Sequence, residues 1–265
     1  MLIYIKGAGD LASGIALRLH HARFSIVMSD LQVPTAVRRT VAFSEAIRLG
    51  STMVEDVRGE RAESPEQVRD CLSRGVIPVV PVPEEDIIRS LQPEVKIDAV
   101  IAKKNLGTSI DDAKLVIGVG PGFTAGMDCH AVVETKRGHT LGRVIREGSA
   151  LPNTGIPGEI GGETVNRVFR APVEGIYHPK RDFGEVVYKG DIVATVDGTP
   201  VFTAISGIIR GMLQDGVHVT PGFKCGDVDP RGTSVDYMTV SDKAMAIAGG
   251  VLEAVSAFAA DRDRA

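Results

Sequence analysis

The sequence predicts an α/β protein: a mostly parallel sheet flanked by helices, then a small β domain and a C-terminal helix. Short apolar runs alternate with helical patterns across the first half, which is typical of a parallel sheet with right-handed connections. Glycines recur at a fixed spacing in the second half, and an apolar stripe of helical period follows them. The predicted domains cover 1–165, 166–235 and 236–265, with the last segment packing back on the first domain.

Composition places the chain among ordinary globular proteins. Its 265 residues are 43% hydrophobic and 24% charged, which suffices for a sizeable core. A net charge of −4 argues against nucleic acid or an anionic membrane as the partner. The three cysteines show no C-x-x-C spacing, the first residues do not resemble a signal peptide, and no apolar run approaches a membrane span. These features predict a cytoplasmic protein and leave open whether it forms a homo-oligomer.

A glycine turn follows the first predicted strand, residues 2–5. Gly7, Gly9 and Ala12 fit the pattern G-x-G-x-x-(G/A) directly before a predicted helix. Glycines let a phosphate approach the backbone, and a helix N-terminus contributes bare N–H groups and the positive end of the helix dipole. This order predicts a Rossmann-like sheet that binds a nucleotide or another small anionic, phosphate-bearing ligand. The alternative is that the glycines only pack the helix against the strand.

Two carboxylates belong to the same predicted ligand site. Asp30 ends the second predicted strand, about 20 residues after the turn, where a dinucleotide fold binds the ribose 2′-hydroxyl. The alternative is that Asp30 only caps a turn. Asp10 lies inside the glycine turn and would repel a pyrophosphate unless it points away. These residues make NAD(P) a candidate cofactor and an NAD(P)-binding oxidoreductase a candidate function.

Further strands are predicted at 25–29, 76–82, 97–102 and 115–119, with helices at 35–49, 65–74 and 84–91. Lys103 and Lys104 follow one of these strands, and Gly120-Pro121-Gly122 follows the last. Ligands of such sheets lie outside the carboxyl ends of the strands. Gly120 and Gly122 therefore join the predicted ligand-binding residues.

A thiol and an imidazole come shortly after the Gly-Pro-Gly turn. Cys129 is interpreted as a nucleophile, a ligand or a buried small hydrophobe, and His130 stands beside it. Adjacent residues of a strand point to opposite faces, so these two side chains would not activate each other. His130 and Glu134 lack a third ligand at a recognisable spacing, so no metal site is predicted. Cys129 and His130 are the candidate catalytic residues, and the sequence does not decide whether the protein is an enzyme.

The second half contains an internal repeat. Three glycines recur 32 residues later: Gly175, Gly184 and Gly190 as Gly207, Gly216 and Gly222. This spacing resembles the barrel-sandwich fold of biotinyl and lipoyl carrier domains. Such carriers present a lysine at the hairpin between the halves, and the hairpin at 196–200 has none. A structural or docking module is therefore predicted instead of a swinging arm.

A charged turn at 226–232 ends the repeat. Asp229 and Arg231 lie in it, and a local ion pair is the simplest interpretation, with a binding role as the alternative. The apolar stripe from 244 to 258 then predicts an amphipathic helix that packs on another element.

Nearly end to end, the chain resembles the accessory proteins of the selenium-dependent molybdenum hydroxylase system. That family is similar to the accessory proteins that load the molybdenum cofactor into xanthine dehydrogenase. The resemblance rests on GAGDLASGIALRLH, VRRTVAFSEAI, VIGVGPGFTAGMDCHAVVETKRGHTLGRVI, TGIPGE, KCGDVDPRG and SDKAMAIAGGVLEA. It implies maturation of a molybdenum hydroxylase client enzyme, through the molybdenum cofactor or its sulfur or selenium ligand. Cys129 and His130 lie in the motif that such handling would use.

The sequence thus leaves three candidate functions. The first is the maturation factor, with a cofactor of the molybdopterin type. The second is the NAD(P)-binding oxidoreductase. The third is a non-catalytic scaffold whose β domain docks the client enzyme.

Overall fold

Two units make up residues 1–262 and 264, the part of the chain that the computed structural model describes. Unit 1 comprises Met1–Pro34, Val41–Asn153 and the chain from Val240 onward, and unit 2 comprises Thr35–Thr40 and Thr154–Thr239. The sequence predicted changes of domain after 165 and 235. The short segment Thr35–Thr40 belongs to unit 2, although the residues on both sides of it belong to unit 1.

Unit 1 contains eleven strands and five helices among its described residues. The strands are β1 (Leu2–Lys6), β2 (Ser25–Asp30), β3 (Ser51–Val54), β4 (Val57–Arg61), β5 (Ile77–Pro81), β6 (Val95–Asp98), β7 (Leu115–Val119), β8 (Thr124–Ala125), β9 (Ala131–Val133), β10 (Val144–Ile145) and β11 (Gly148–Ser149). The helices are α1 (Asp10–His21), α2 (Glu45–Leu49), α3 (Pro65–Ser73), α4 (Glu85–Leu91) and α5 (Asp242–Arg262).

Nine of these strands form one mixed sheet in the order β10-β9-β7-β6-β1-β2-β5-β4-β3. Neighbours from β9 to β4 run parallel, and the edge strands β10 and β3 run antiparallel to theirs. The chain leaves β1 toward β2 on one side and returns on the other side as β6. The sheet therefore changes winding direction between β1 and β6, which is where open α/β sheets hold their ligands.

The central strands are buried because their side chains are apolar on the face that α1 covers. Ile3 and Ile5 of β1 are fully buried with Ile15 and Leu19 of α1 in one core cluster. Successive strand residues point to opposite faces, so Tyr4 faces away from α1 into a second, smaller cluster.

Helix α5 packs along α1 in unit 1. Gly14 of α1 makes the close approach, since a Cβ at that position would stand 2.9 Å from the side chains of Ala244 and Val240. The sequence predicted no membrane span. In the described part of the chain, however, one helix, α5, is long and apolar enough to cross a membrane by length and composition alone. Its buried residues, which include Ile247 and Val251, belong to the core of unit 1. That packing is consistent with a soluble protein.

Unit 2 consists of two four-stranded antiparallel sheets. Its strands are β12 (Val168–Arg170), β13 (Gly175–Pro179), β14 (Val186–Val187), β15 (Ile192–Val196), β16 (Thr199–Phe202), β17 (Gly207–Met212), β18 (His218–Val219) and β19 (Lys224–Asp229). They are ordered β12-β19-β17-β14 and β16-β15-β13-β18 around one apolar core.

The repeated glycines of unit 2 take matching backbone conformations. Gly175 and Gly207 open β13 and β17 with φ of +151° and +158°, values that favour glycine. A Cβ at Gly175 would collide with the carboxylate of Asp197, and one at Gly207 with the backbone of Asp229. The glycine repeat therefore reflects two equivalent positions, Gly175 and Gly207, at which another part of the chain lies too close for a side chain.

The predicted fold class was wrong. The structure has a large mixed sheet and separate antiparallel sheets, in place of a Rossmann-like, mostly parallel sheet followed by a biotinyl-type barrel-sandwich. One cause is the hairpin of β3 and β4, whose short strands expose alternate residues and so lack a continuous apolar run. Another is the predicted helix at 35–49, of which Glu45–Leu49 is α-helical and Arg39–Val41 forms one short 3-10 turn.

Candidate functional site

The glycine turn connects β1 to α1 at the carboxyl end of the sheet. The N–H of Gly7 donates to the carbonyl of Ser29 at 2.8 Å, which ties the turn to β2. Gly7 has φ of +103°, and a Cβ there would stand 2.9 Å from the carbonyl oxygen of Ala99. Gly7 is therefore required by close packing against the chain that leaves β6.

Gly9 and Ala12 have different surroundings. Gly9 precedes the first residue of α1, its φ of −69° suits any residue, and open space lies where its Cβ would stand. No side chain in the described chain caps the helix at this end. Ala12 is fully buried in the core, so it packs α1 against the sheet. The half-buried Asp10 is in the first turn of α1.

Asp30 binds the backbone of its own surroundings. One carboxylate oxygen accepts from the N–H of Ala8 and the other from the N–H of Leu31, both at 2.8 Å. Burial raises the pKa of the Asp30 carboxyl. Asp30 thus joins the glycine turn to the end of β2, which is the capping role that the sequence left open.

The segment after β6 lies against both glycine turns. A Cβ at Gly122 would stand 2.6 Å from Cα of Lys104, just as Gly7 contacts Ala99. Ile101 and Lys103 have positive φ of 60° and 64°, which is an outlier for a β-branched residue such as Ile101. Strained backbone of this kind is found where surrounding structure holds it, often at functional sites.

One buried hydrogen bond and one close approach of the backbone hold these loops. The carboxylate of Asp98 accepts from the hydroxyl of Thr108 at 2.6 Å. Gly120 has φ of +84°, and a Cβ there would stand 2.9 Å from the hydroxyl of Thr135. Gly7 and Gly122 thus both lie against the loop that follows β6, whereas Gly120 lies against Thr135.

Cys129 and His130 lie apart from each other. Cys129 is fully buried in a cluster with Val116, Phe123 and Val132, and this burial raises the pKa of its thiol. His130 is exposed, and its Nδ1 accepts from the N–H of Val116 at 3.0 Å. The surroundings of Cys129 are those of a thiol packed in a core, and His130 hydrogen-bonds the backbone of a neighbouring strand. Their catalytic role stays a prediction.

A cavity of about 680 Å³ opens beside β1 on the sheet face that Tyr4 presents. It is lined by Tyr4, Lys6, Val82, Pro83, Glu84, Glu85, Ile88, Arg89, Lys96, Leu106, Gly107 and Asp112. The register explains part of this set, since Tyr4 pairs with Lys96, and Lys6 lies between Ser29 and Asp98. None of these residues was predicted from the sequence to belong to a site. The available signal was the alternation of Tyr4 and Lys6 with isoleucines along a buried strand.

Comparison with known proteins gives one strong sequence relative. No family model matches the chain. A protein of Escherichia coli strain K12, described as uncharacterized protein YqeB, is 48% identical over 254 residues, 96% of this chain and 47% of the relative. The chain thus spans about half the length of the curated relative that it matches.

Similar solved structures belong to the aspartoacylase and succinylglutamate desuccinylase group. A succinylglutamate desuccinylase/aspartoacylase from Rhodobacter sphaeroides is 25% identical over 24% of this chain and 22% of its own, with a TM-score of 0.21. An aspartoacylase family protein from Mesorhizobium loti is 12% identical over 86% and 84%, with a TM-score of 0.28. The ectoine utilization protein EutE from Ruegeria pomeroyi is 13% identical over 86% and 84%, with a TM-score of 0.26. At such TM-scores these likenesses carry no activity over to this chain.

The comparisons overturn the resemblance stated from the sequence. Two of these solved structures are described as aspartoacylase-type proteins and one as an ectoine utilization protein, and nothing among these relatives indicates a molybdenum hydroxylase accessory family. The predicted maturation function was therefore wrong, together with its molybdenum and selenium chemistry. The two alternatives, an NAD(P)-binding oxidoreductase and a docking scaffold, fit these findings no better.

Proposed function

We propose that unit 1 binds a small anionic, phosphate-bearing ligand at the carboxyl end of its parallel strands. The observation that carries the proposal is the open N-terminus of α1. Gly9 leaves free space where a side chain would stand, and no side chain in the described chain caps the helix. The first N–H groups of a helix are donors without partners inside the helix, and they suit an anion.

The helix end alone supplies only part of the binding free energy. A charge at a helix terminus is worth about 0.3–1 kcal/mol when exposed and up to about 2 kcal/mol when partly buried. Lys103 and Lys104 add two exposed ammonium groups on the loop that lies against Gly7 and Gly122. Lysine is a common phosphate-binding residue because its ammonium is a compact charge with three donors.

The nearby carboxylates set the direction from which the ligand approaches. Asp30 uses both oxygens on backbone N–H groups, so its charge is already partly compensated. Asp10 is half-buried in the first turn of α1 and opposes an anion there. The open side of the turn is therefore at Gly9.

The experiment titrates the full chain with pyrophosphate, ribose 5-phosphate and inorganic phosphate by isothermal titration calorimetry. We expect saturable binding, and loss of at least about tenfold in affinity for Gly9→Val, which fills the open space. The φ of Gly9 suits valine, so folding is expected to survive. Gly249→Ala is the control, since its added methyl would make only an ordinary contact, at 3.7 Å, with the side chain of Arg18. Binding by Gly9→Val equal to that of the parent chain would refute the site.

We also infer that the chain works in the cytoplasm. Its three cysteines are buried free thiols, and such thiols persist in a reducing compartment. Fractionation of cells that express the tagged chain tests this: recovery with the periplasmic or membrane fraction would contradict it.

A further inference from the structure

The cavity beside β1 contains a buried carboxylate that is only partly satisfied. Glu84 is 7% exposed, and its Oε1 accepts from the hydroxyl of Tyr4 at 2.7 Å and from that of Ser29 at 3.3 Å. Among the described residues, both of these donors bind Oε1 and none binds Oε2. Glu84 lines the cavity, so a ligand there can reach this carboxylate.

Tyr4 and Ser29 hold Glu84 as an acceptor. The Tyr4 hydroxyl donates its single proton to Glu84, and the single proton of Ser29 is shared between the Tyr4 oxygen, at 2.8 Å, and Oε1 of Glu84, at 3.3 Å. Burial, followed by the charge of Glu84, raises the pKa of Tyr4 far above its usual range, so the phenol remains a donor. Neither donor carries a positive charge, and the charge of the carboxylate is therefore not neutralised by the groups that position it.

Cations lie on another part of the cavity lining. Lys6 donates to the carbonyl of Leu106 at 3.1 Å, and Lys96 pairs with Asp112 at 2.5 Å. An ammonium has three N–H donors, so each lysine retains protons for a ligand. Both side chains are mostly buried, at 23% and 13% exposed.

We propose that this cavity binds a small zwitterion of the amino-acid type. Its ammonium group pairs with Oε2 of Glu84, and its carboxylate is bound by Lys6 and Lys96. The lining carries three acidic and three basic side chains: Glu84, Glu85, Asp112, Lys6, Arg89 and Lys96. Asp112 and Arg89 already pair with Lys96 and Asp86, whereas no cation of the described chain pairs with Glu84. A purely anionic ligand would therefore leave Glu84 desolvated without a partner, which is costly. The volume of about 680 Å³ lies within the range of small-molecule sites.

This site is separate from the proposed phosphate site. Tyr4 faces away from α1, whereas the glycine turn leads into α1. Failure of either binding test leaves the other standing.

The first experiment compares three charge classes of one ligand set on the full chain by calorimetry. The set contains glycine, γ-aminobutyrate and the standard L-amino acids, with their methyl esters as cations and their N-acetyl derivatives as anions. We expect saturable binding of at least one zwitterion, at least about tenfold tighter than its ester and its N-acetyl derivative. Equal binding of either derivative, or no saturable binding at about 10 mM of any zwitterion, would overturn the proposal.

The second experiment assigns the two ends of the ligand. Glu84→Gln keeps an oxygen for Tyr4 but removes the charge, so the preference for the zwitterion over its N-acetyl derivative should fall about tenfold. Lys96→Gln should instead reduce the preference over the methyl ester. Glu66→Gln is the control, because Glu66 of α3 is 78% exposed and outside the cavity lining. A purely structural role would lower the melting temperature while leaving both preferences unchanged, and that result would refute the assignment.

Discussion

Each unit buries a carboxylate, and the two are satisfied in opposite ways. In unit 1, Glu84 is held by two hydroxyls and retains a free oxygen at a cavity. In unit 2, Asp227 is 1% exposed and lies between the guanidinium groups of Arg167, at 2.7 Å, and Arg210. The oxygen of Asp227 without a partner lies against Gly211, where a Cβ would be 2.5 Å away. Glu84 and Asp227 thus differ both in what holds them, uncharged hydroxyls or guanidinium groups, and in whether a cavity adjoins them.

The arginines of unit 2 extend this pairing into a network. Arg210 also contacts Asp229 at 3.3 Å, and Arg231 binds Asp229 at 2.9 Å, which confirms the local ion pair predicted from the sequence. Arg167 adds a hydrogen bond to the carbonyl of Gly158 at 3.1 Å. Every charged group in this network has a partner within unit 2, so removing one of them would leave a buried charge uncompensated.

The largest expected effect comes from removing the centre of that network. Asp227→Ala leaves Arg167 and Arg210 buried without their shared carboxylate, which should lower the free energy of unfolding by about 3–5 kcal/mol. Urea denaturation followed by far-UV circular dichroism measures it. Asp215→Ala is the control, because its pair with His178 is largely exposed and should be worth less than about 1 kcal/mol. A loss for Asp227→Ala as small as the control's would break the contrast between the units.

Next comes Tyr4→Phe, which removes an uncharged donor from Glu84. A hydrogen bond to a charged group is worth about 1.5–3 kcal/mol, and we expect a loss of stability in that range. Zwitterion affinity should fall as well, because Tyr4 positions the carboxylate. Tyr177→Phe, in the core of unit 2, is the matched control, because it removes the same hydroxyl from a buried tyrosine that makes no hydrogen bond within the described chain, and it should leave affinity unaltered. Loss of stability with unchanged affinity would make the Glu84 cluster a structural one, like that of Asp227.

The pH dependence of unfolding gives a third comparison. Burial alone would raise the pKa of Asp227, but the charges of Lys224, Arg210 and Arg167 lower it from 3.8 to about 2. A lowered pKa means that the stabilisation is present above the unfolded value and is lost as pH falls from about 4 to about 2. The loss should be about 2 kcal/mol, because one pKa unit corresponds to about 1.4 kcal/mol. Urea unfolding across this pH range should show this loss in the parent chain and a smaller one in Asp227→Asn. Equal losses in both would rule out Asp227 as the source.

Sequence reasoning identified single elements better than their assembly. The apolar runs of β2, β5 and β7 mark those strands, which lie within one residue of their predicted bounds. The strand predicted at 97–102 was misplaced, because β6 is Val95–Asp98 and the apolar residues 99–102 that follow it form no strand. The hairpin of β3 and β4 gives no such signal, and it helps to make the sheet mixed. The cavity could not be predicted from the sequence because its groups come from distant positions. Tyr4 and Ser29 are 25 residues apart, and Tyr4 and Glu84 are 80 apart. Taken singly, each of these three residues is an ordinary strand or loop residue.

Asp10 offers the smallest effect and extends the comparison to a carboxylate that is only half-buried. It lies in the first turn of α1, beside the open space at Gly9. Removing its charge with Asp10→Asn should tighten pyrophosphate binding a few-fold, and the gain should shrink as salt shortens the Debye length to about 10 Å at 0.1 M. Asp10→Glu keeps the charge and should bind as the parent chain does. Calorimetric titrations at low and at physiological salt measure both. If Asp10→Asn binds no more tightly at low salt, the anion does not lie at this turn, and the contrast between structural and ligand-facing carboxylates rests on Glu84 alone.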